Sequence, residues 1–197
     1  MWKIVQNPHI KDWIALWEHK KMKIFLNPGH GGCDPGAVSK NGLKEKDVAA
    51  RVVKILEERL KFNGYPVQTY QEAKHFTEVS KEANKSGATL FISVHCNSAS
   101  NSKAHGTEVL YYPTSIKGKE LASILQAELI KATGLYNRGI KPRSDLHVLK
   151  ATNAPAILAE LAFISNPEEE KLLKEKPEIF ANAIWEAIKL YKTRGLL

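Results

Sequence analysis

Three residues of types that bind metal ions stand out in this chain of 197 residues: His30, Glu45 and His95. His30 lies in the glycine-rich segment 28–32 (PGHGG), where glycine allows a tight turn and the close approach of a ligand. Imidazole and carboxylate groups suit zinc, and a catalytic zinc site uses three protein ligands while a fourth position stays open to water. Together the three residues make a possible zinc site of the His-Glu-His kind.

A fourth candidate, Glu160, lies in the otherwise apolar segment 156–164 (AILAELAFI). A buried carboxylate is costly unless it is paired or binds a metal. Burial would also raise its pKa and make it a better general base. A backbone or lysine partner that satisfies a purely structural glutamate is an equally valid interpretation of these residues alone.

Each of these signals is weak when taken singly. A histidine at the end of a strand is commonly a hydrogen-bonded structural residue, and a glycine-rich turn can also cradle a phosphate. A glutamate in the first turn of a helix is usually a favourable surface charge. The ligands are dispersed along the chain and form no local motif of the HExxH kind.

The elements that must position these residues alternate between strands and helices. Apolar runs predict strands, and helical spacing of apolar residues predicts helices; the strands are expected at 23–26, 66–70, 89–95, 107–112, 146–149 and 156–161, and the helices at 45–62, 75–85, 117–132, from Pro167, and at 177–192. This order predicts a single α/β domain with a twisted, mostly parallel sheet flanked by helices on both faces. Active sites of such sheets lie beyond the carboxyl ends of the strands, where His30, His95 and Glu160 would meet.

The bulk properties are those of an ordinary globular protein. Hydrophobic residues make up 43% and charged residues 25% of the chain, and the formal net charge is +8. A basic protein tends to associate with polyanions such as nucleic acid, anionic membranes or cell-wall polymers. The lysines are spread along the chain and no nucleic-acid-binding motif is present, so we expect no nucleic-acid partner. We also expect no transmembrane segment, because no apolar stretch is long enough.

Residues 1–21 form a separate segment that contains three of the four tryptophans. Their spacing predicts a short helix, packed on the domain or bound to a membrane surface or partner, and 22–197 is expected to be the catalytic domain. No secretory signal is recognisable, so release by cell lysis, phage-assisted release or another non-classical route is expected. Cys33 and Cys96, each close in sequence to a proposed ligand, suggest either a disulfide or thiolate near the metal or two small buried thiols.

Several dispersed motifs occur in an order that is typical of one family: 27–32 (NPGHGG), 34–37 (DPGA), Glu45, 93–97 (SVHCN), 106–109 (GTEV), 137–141 (NRGIK), Glu160 and 163–166 (FISN). From residue 23 to the C-terminus the chain resembles the zinc-dependent N-acetylmuramoyl-L-alanine amidases of the Amidase_3 type. The family usually has Asp where Asn27 stands, and Thr-Gly where this chain has Leu161-Ala162.

The resemblance implies a function for each candidate residue. His30, Glu45 and His95 would bind Zn²⁺, which would lower the pKa of its bound water and polarise the lactyl carbonyl of muramic acid. Glu160 would take the proton of the water and pass it to the departing L-alanine amine. The substrate would be bacterial peptidoglycan, and the site of action the cell wall. We further predict that Asn97 and Arg138 contact the substrate.

Two other functions remain open from the sequence. A wall-binding or regulatory relative could keep the fold and lose turnover, although the intact set of four candidate residues argues against this. A zinc peptidase that acts on a carboxyl terminus could use the same kind of fold. It would need a cationic clamp for the carboxylate, for which Arg138 or Arg143 could serve.

Overall fold

The central feature of the computed structural model, which describes residues 22–71 and 76–195, is a six-stranded sheet. The predicted N-terminal helix within 1–21 lies outside the described residues. The strands are β1 Ile24–Pro28, β2 Val67–Thr69, β3 Leu90–Asn97, β4 Thr107–Tyr111, β5 Asn137–Pro142 and β6 Ala156–Phe163, in the spatial order β2-β1-β3-β6-β4-β5. The first four in that order are parallel to one another, β4 is antiparallel to β6, and β5 is parallel to β4.

Helices cover both faces of the sheet. In the described residues they are α1 Glu45–Phe62, α2 Phe76–Ser86, α3 Ile116–Thr133, α4 His147–Ala151, α5 Pro167–Glu175 and α6 Pro177–Thr193. The larger core cluster joins one face of the sheet to α1, α3 and α6, and the smaller cluster joins the other face to α2 and α4. The predicted fold, a mostly parallel sheet between two helical layers, is confirmed.

The prediction was wrong over one stretch of the chain. Residues 146–149 were expected to form a strand, but they lie at the start of α4, where Val148 and Leu149 pack against the sheet. An apolar run this short does not distinguish a strand from a helix segment. The true strand, β5, escaped prediction because it is a half-exposed edge strand with few apolar residues.

Three polar residues lie in one row across neighbouring strands of the sheet. His95 of β3 is paired with Glu160 of β6, and Glu160 is paired with Glu108 of β4. Because side chains alternate along a strand, this row belongs to the same face as Phe91 and Leu158, which is the face that carries α2 and α4. The antiparallel direction of β4 brings its first residues to the edge at which β3 and β6 end.

Strand β6 contains one residue more than its partner directly after Glu160. His95 is paired with Glu160 but Asn97 with Phe163, so that Leu161 and Ala162 together lie opposite Cys96. Both of these residues pack into the core on the α1 side of the sheet. This irregularity has the form of a β-bulge, which locally breaks the alternation of side chains.

Candidate active site

The structure brings His30, Glu45 and His95 together at the carboxyl end of the sheet. One potential ligand atom from each lies within 4.8 Å of those of the other two. Glu45 lies between the two imidazoles, with Oε2 3.1 Å from His30 Nε2 and Oε1 2.9 Å from His95 Nδ1. This group, called here the candidate metal centre, offers two nitrogen donors and a carboxylate, which is a set of ligands that zinc accepts.

Glu45 is the first residue of α1, and backbone amides fix its carboxylate. The amide of Ala37 donates to Oε2 at 2.9 Å, and that of Cys96 donates to Oε1 at 3.0 Å. Burial opposes the ionisation of Glu45, but the hydrogen bonds with His30 and His95 outweigh it and hold the pKa of this carboxyl below its usual range. The carboxylate therefore stays charged where a cation would bind.

Two glycines leave the space that the candidate metal centre occupies. A Cβ atom at Gly29 would overlap the imidazole of His95. At Gly36 a Cβ would lie 2.5 Å from His30 Cδ2 and 2.6 Å from Glu45 Oε2, and the φ of +65° there also favours glycine. The glycine-rich sequence is thus explained by close packing around the three side chains, and the residues present fit a bound metal ion.

Asp34 orients His30, a contact that the sequence analysis missed. Its Oδ2 lies 2.8 Å from His30 Nδ1, and its Oδ1 accepts a hydrogen bond from the amide of Gly36 at 2.9 Å. Histidines that bind metals commonly hold a carboxylate with their other ring nitrogen. The available signal was a carboxylate four residues after a histidine within the same glycine-rich loop.

The charge around His30 favours a cation. The hydrogen bond with Glu45 raises the pKa of His30 to about 9; burial opposes this rise, and the hydrogen bond with Asp34 adds to it. The hydrogen bond with His30 in turn lowers the pKa of Asp34. Without a metal ion, a proton on His30 therefore neutralises part of the negative charge of the two carboxylates.

Glu160 differs from Glu45 in its surroundings. Its Oε2 is buried and makes no hydrogen bond within the described part of the chain. Burial raises the pKa of Glu160 to about 7, and the nearby charge of His95 opposes this rise. For this oxygen the structure does not provide the backbone or lysine partner that a purely structural glutamate would need.

Asn97 and Arg138 meet at Glu108, a residue to which the sequence analysis gave no role. The Glu108 carboxylate accepts hydrogen bonds from Asn97 Nδ2 at 2.9 Å, Arg138 Nε at 2.9 Å and Lys141 Nζ at 2.5 Å. Burial opposes its ionisation, but Lys141 and Arg138 together keep the pKa of Glu108 below its usual range. The signal in the sequence was an acidic residue within an apolar strand, as at Glu160.

A cavity of about 370 Å³ adjoins the candidate metal centre on the face covered by α2 and α4. It gives His30 and His95 access to a space large enough for part of a substrate. Its other lining residues are Asn27, Asp34, Val79, Asp145, Leu146, His147, Val148 and Leu158. Two hydrogen bonds hold Asn27 there. The Ser93 hydroxyl donates to Asn27 Oδ1 at 2.8 Å, and Asn27 Nδ2 donates to the Tyr70 carbonyl at 2.9 Å.

The two cysteines are not joined. Cys33 is exposed and Cys96 is buried, and both thiols are free, so the disulfide hypothesis is wrong for this structure. Burial raises the pKa of the Cys96 thiol, which argues against a thiolate at that position. The alternative of a small buried thiol applies to Cys96 and not to Cys33.

Comparison with known proteins identifies the family. The family model described as N-acetylmuramoyl-L-alanine amidase, Amidase_3, matches residues 24–190. The chain belongs to this amidase family. A probable cell wall amidase LytH from Staphylococcus saprophyticus is 32% identical to it over 207 residues, which cover 95% of this chain and 69% of that protein.

Solved structures of amidases share the fold. The CwlD amidase from Clostridioides difficile, solved in complex with the GerS lipoprotein, superposes with a TM-score of 0.80 at 31% identity, over 87% of this chain and 98% of that chain. The catalytic domain of CwlV, an amidase from Bacillus (Paenibacillus) polymyxa, gives a TM-score of 0.79 at 28% identity, over 87% and 98% of the two chains. The predicted enzyme class, a peptidoglycan amidase, is confirmed.

In the part of this amidase that the structure describes, no helix is long and apolar enough to cross a membrane.

Proposed function

We propose that this amidase hydrolyses the bond between N-acetylmuramic acid and the L-alanine of the peptidoglycan stem peptide with a zinc ion bound by His30, Glu45 and His95 and with Glu160 as the group that transfers protons. The observation that carries this proposal is the unpartnered, buried Oε2 of Glu160 in the row that begins with His95. A buried carboxylate oxygen that has no donor and lies beside a candidate metal-binding group is suited to exchange protons rather than to stabilise the fold.

The candidate metal centre fits zinc by its donors and by the contacts that hold them. When bound there, zinc supplies a Lewis acid that activates water and polarises the scissile carbonyl. The chain contributes the orientation of the ligands: Asp34 holds His30 through Nδ1, and the amides of Ala37 and Cys96 hold Glu45. Because these side chains are already oriented, little ordering is needed when the metal binds.

Glu160 has the protonation behaviour that the reaction requires. With a pKa of about 7 it is partly ionised at neutral pH, so it can accept a proton from the attacking water and return it to the departing nitrogen. The proton on the nitrogen matters because an amine leaves far more readily than an amide anion. The strand pairing of Glu160 with His95 supports this proposed role, because it brings the carboxylate next to a residue of the candidate metal centre.

The family and the charge support the proposed substrate and place of action. Peptidoglycan is the substrate, and the net charge of +8 favours association with the anionic polymers of a bacterial wall. We propose that the enzyme acts at the wall. We also propose that Asn97 and Arg138 lie on the side of Glu160 that the substrate approaches. The extent of the catalytic domain, 22–197, remains a prediction.

Mass spectrometry of digested peptidoglycan tests the proposal. Purified peptidoglycan is incubated with the protein as isolated, after chelation, and after zinc is restored. We expect stem peptides with a new L-alanine amino terminus, lost on chelation and regained with zinc. Glu160→Gln should release none, whereas Glu58→Gln, at an exposed position of α1, should release as many as the unmodified chain. Intact linkages in every sample would contradict the proposal and favour a wall-binding or regulatory protein.

A further inference from the structure

Two cations are held side by side next to Glu160 by a single carboxylate. Glu108 accepts hydrogen bonds from Arg138, Lys141 and Asn97, and these four residues are called here the Glu108 cluster. With one negative and two positive side chains, the cluster carries a net charge of +1. A pair of cations that exceeds its counter-charge next to a reaction site is suited to bind an anionic group.

The cations of the cluster are fixed but retain unused donors. Arg138 donates through Nε to Glu108 and through Nη1 to the His105 carbonyl at 3.2 Å, and its guanidinium lies 4.8 Å from the centre of the Phe163 ring. Its Nη2 makes no hydrogen bond within the described residues. Lys141 uses one of its three N–H groups on Glu108, and 43% of its side chain is exposed. An incoming acceptor would therefore meet donors that are already oriented.

Within the cluster, Glu108 lies one strand away from the proposed proton-transfer group, and Arg138 and Lys141 reach back to it from the next strand, β5. Glu108 is paired with Glu160 across β4 and β6, and neighbouring strands are about 5 Å apart. In a stem peptide the residue after L-alanine is a γ-linked D-glutamate, whose α-carboxyl group is free in some walls and amidated in others. This group lies five bonds from the scissile nitrogen, roughly 5–6 Å in an extended chain. The reach of the peptide therefore matches the spacing between the strands of Glu160 and Glu108, and the side chains of Arg138 and Lys141 end at Glu108.

From this match we infer that the Glu108 cluster binds the free α-carboxylate on the second residue of the stem peptide, through Arg138 and Lys141. The inference rests on the proposed function, because it places the scissile nitrogen at Glu160. A carboxylate offers acceptors alone to these donors, whereas a carboxamide offers an NH₂ group that would oppose them. The amidase should thus prefer stems with a free acid at this position.

A pair of soluble substrates tests the preference. N-acetylmuramoyl-L-alanyl-D-isoglutamate and the corresponding isoglutamine compound differ at this one group. We expect kcat/KM to be about tenfold higher for the acid, since one charge-assisted hydrogen bond at a half-exposed site supplies a factor of this order. Lys141→Met should move the ratio of the two values towards one. Lys131→Met, on the exposed surface of α3, is the matched control and should keep the ratio of the unmodified chain.

A binding measurement separates the failure of this inference from that of the proposed function. The Glu160→Gln variant, loaded with zinc, is titrated calorimetrically with each compound, and the acid should bind about tenfold more tightly. The difference should shrink as salt is added. Equal cleavage and equal binding of the two compounds would overturn the inference and leave the proposed function intact. If neither compound nor peptidoglycan is cleaved, the proposed function fails, and the binding ratio still decides whether the cluster recognises the carboxylate.

Discussion

The two sides of the active site treat a buried glutamate in opposite ways. At the candidate metal centre, both oxygens of Glu45 are held by backbone amides and histidines. On the strand beside it, Oε2 of Glu160 has no hydrogen-bond partner among the described residues. The pKa is accordingly lowered at Glu45 and raised to about 7 at Glu160. The donors around a carboxylate, rather than its burial, decide whether it remains a permanent charge or exchanges protons.

Removing Glu160, the proposed acid–base group, should produce the largest effect. In Glu160→Gln we expect kcat to fall by roughly 10³-fold, since a positioned general base contributes on this scale. The bound metal should stay at the level of the unmodified chain, because Glu160 lies outside the candidate metal centre. Turnover and metal content measured on the same preparations check both. A variant that loses its metal would show that Glu160 supports the ligands, and the contrast with Glu45 would then disappear.

Filling the space around His95 should disturb the candidate metal centre, the other half of the comparison. In Gly29→Ala the new Cβ would overlap the His95 ring, so the imidazole must move and metal affinity should fall by about 100-fold. Titration with a competing chelator measures this. Gly87→Ala serves as the control: its Cβ meets nothing within 4 Å, but its φ of +68° is strained. The control should lose some thermal stability and keep its metal affinity; the same loss of affinity in both variants would refute the steric explanation.

The carboxylate that orients His30 should have a smaller effect. Asp34→Asn keeps the size of the side chain but removes its charge, and comparable losses around bound metals lower affinity by about 10–100-fold. Asp47→Asn, in the first turn of α1 and outside the candidate metal centre, is the matched control. Competitive titration of the two variants measures the difference. Equal affinities would mean that Glu45 alone is sufficient to hold His30.

Metal affinity and stability should both depend on pH through His30, which the Glu45 carboxylate holds. The pKa of His30 is raised from 6.5 to about 9 in the metal-free protein, so a proton must leave before the nitrogen can bind metal. Metal affinity should therefore rise by up to about tenfold per pH unit between neutrality and pH 9, and then level off. The protonated His30 stabilises the metal-free fold fully below pH 6.5, and this contribution is lost as the pH rises through 9. Chelator competition and thermal unfolding at several pH values measure the two trends, which Asp34→Asn should shift to lower pH.

The meeting of the four candidate residues could be predicted from the sequence because their elements are recognisable in it. His30 follows an apolar strand, His95 and Glu160 lie in the second half of one, and Glu45 begins a strongly periodic helix. Their convergence then follows from the geometry of parallel sheets.

The contacts around these residues could not be predicted in the same way. Asp34 is recognisable as a partner of His30 once the loop geometry is known, and Glu108 becomes a neighbour of Glu160 through an antiparallel strand that sequence periodicity does not orient. The edge strand β5 is half-exposed and lacks a clear apolar pattern, so the position of Arg138 in the sheet could not be predicted either. Pairing between distant segments determines these features, and a single sequence contains little information about it.

The extra residue at the β-bulge of β6 has a consequence for how this chain can change in length. Leu161 and Ala162 occupy the place of one residue opposite Cys96, and both face the core on the α1 side. Deleting either would restore a regular strand, in which Phe163 still lies opposite Asn97 and still stacks under Arg138. The side chains of the site would thus keep their face, and the loss would fall on the core, where one of two buried side chains would be missing. Shortening β6 by one residue at this point should therefore cost stability and leave the register of the site unchanged.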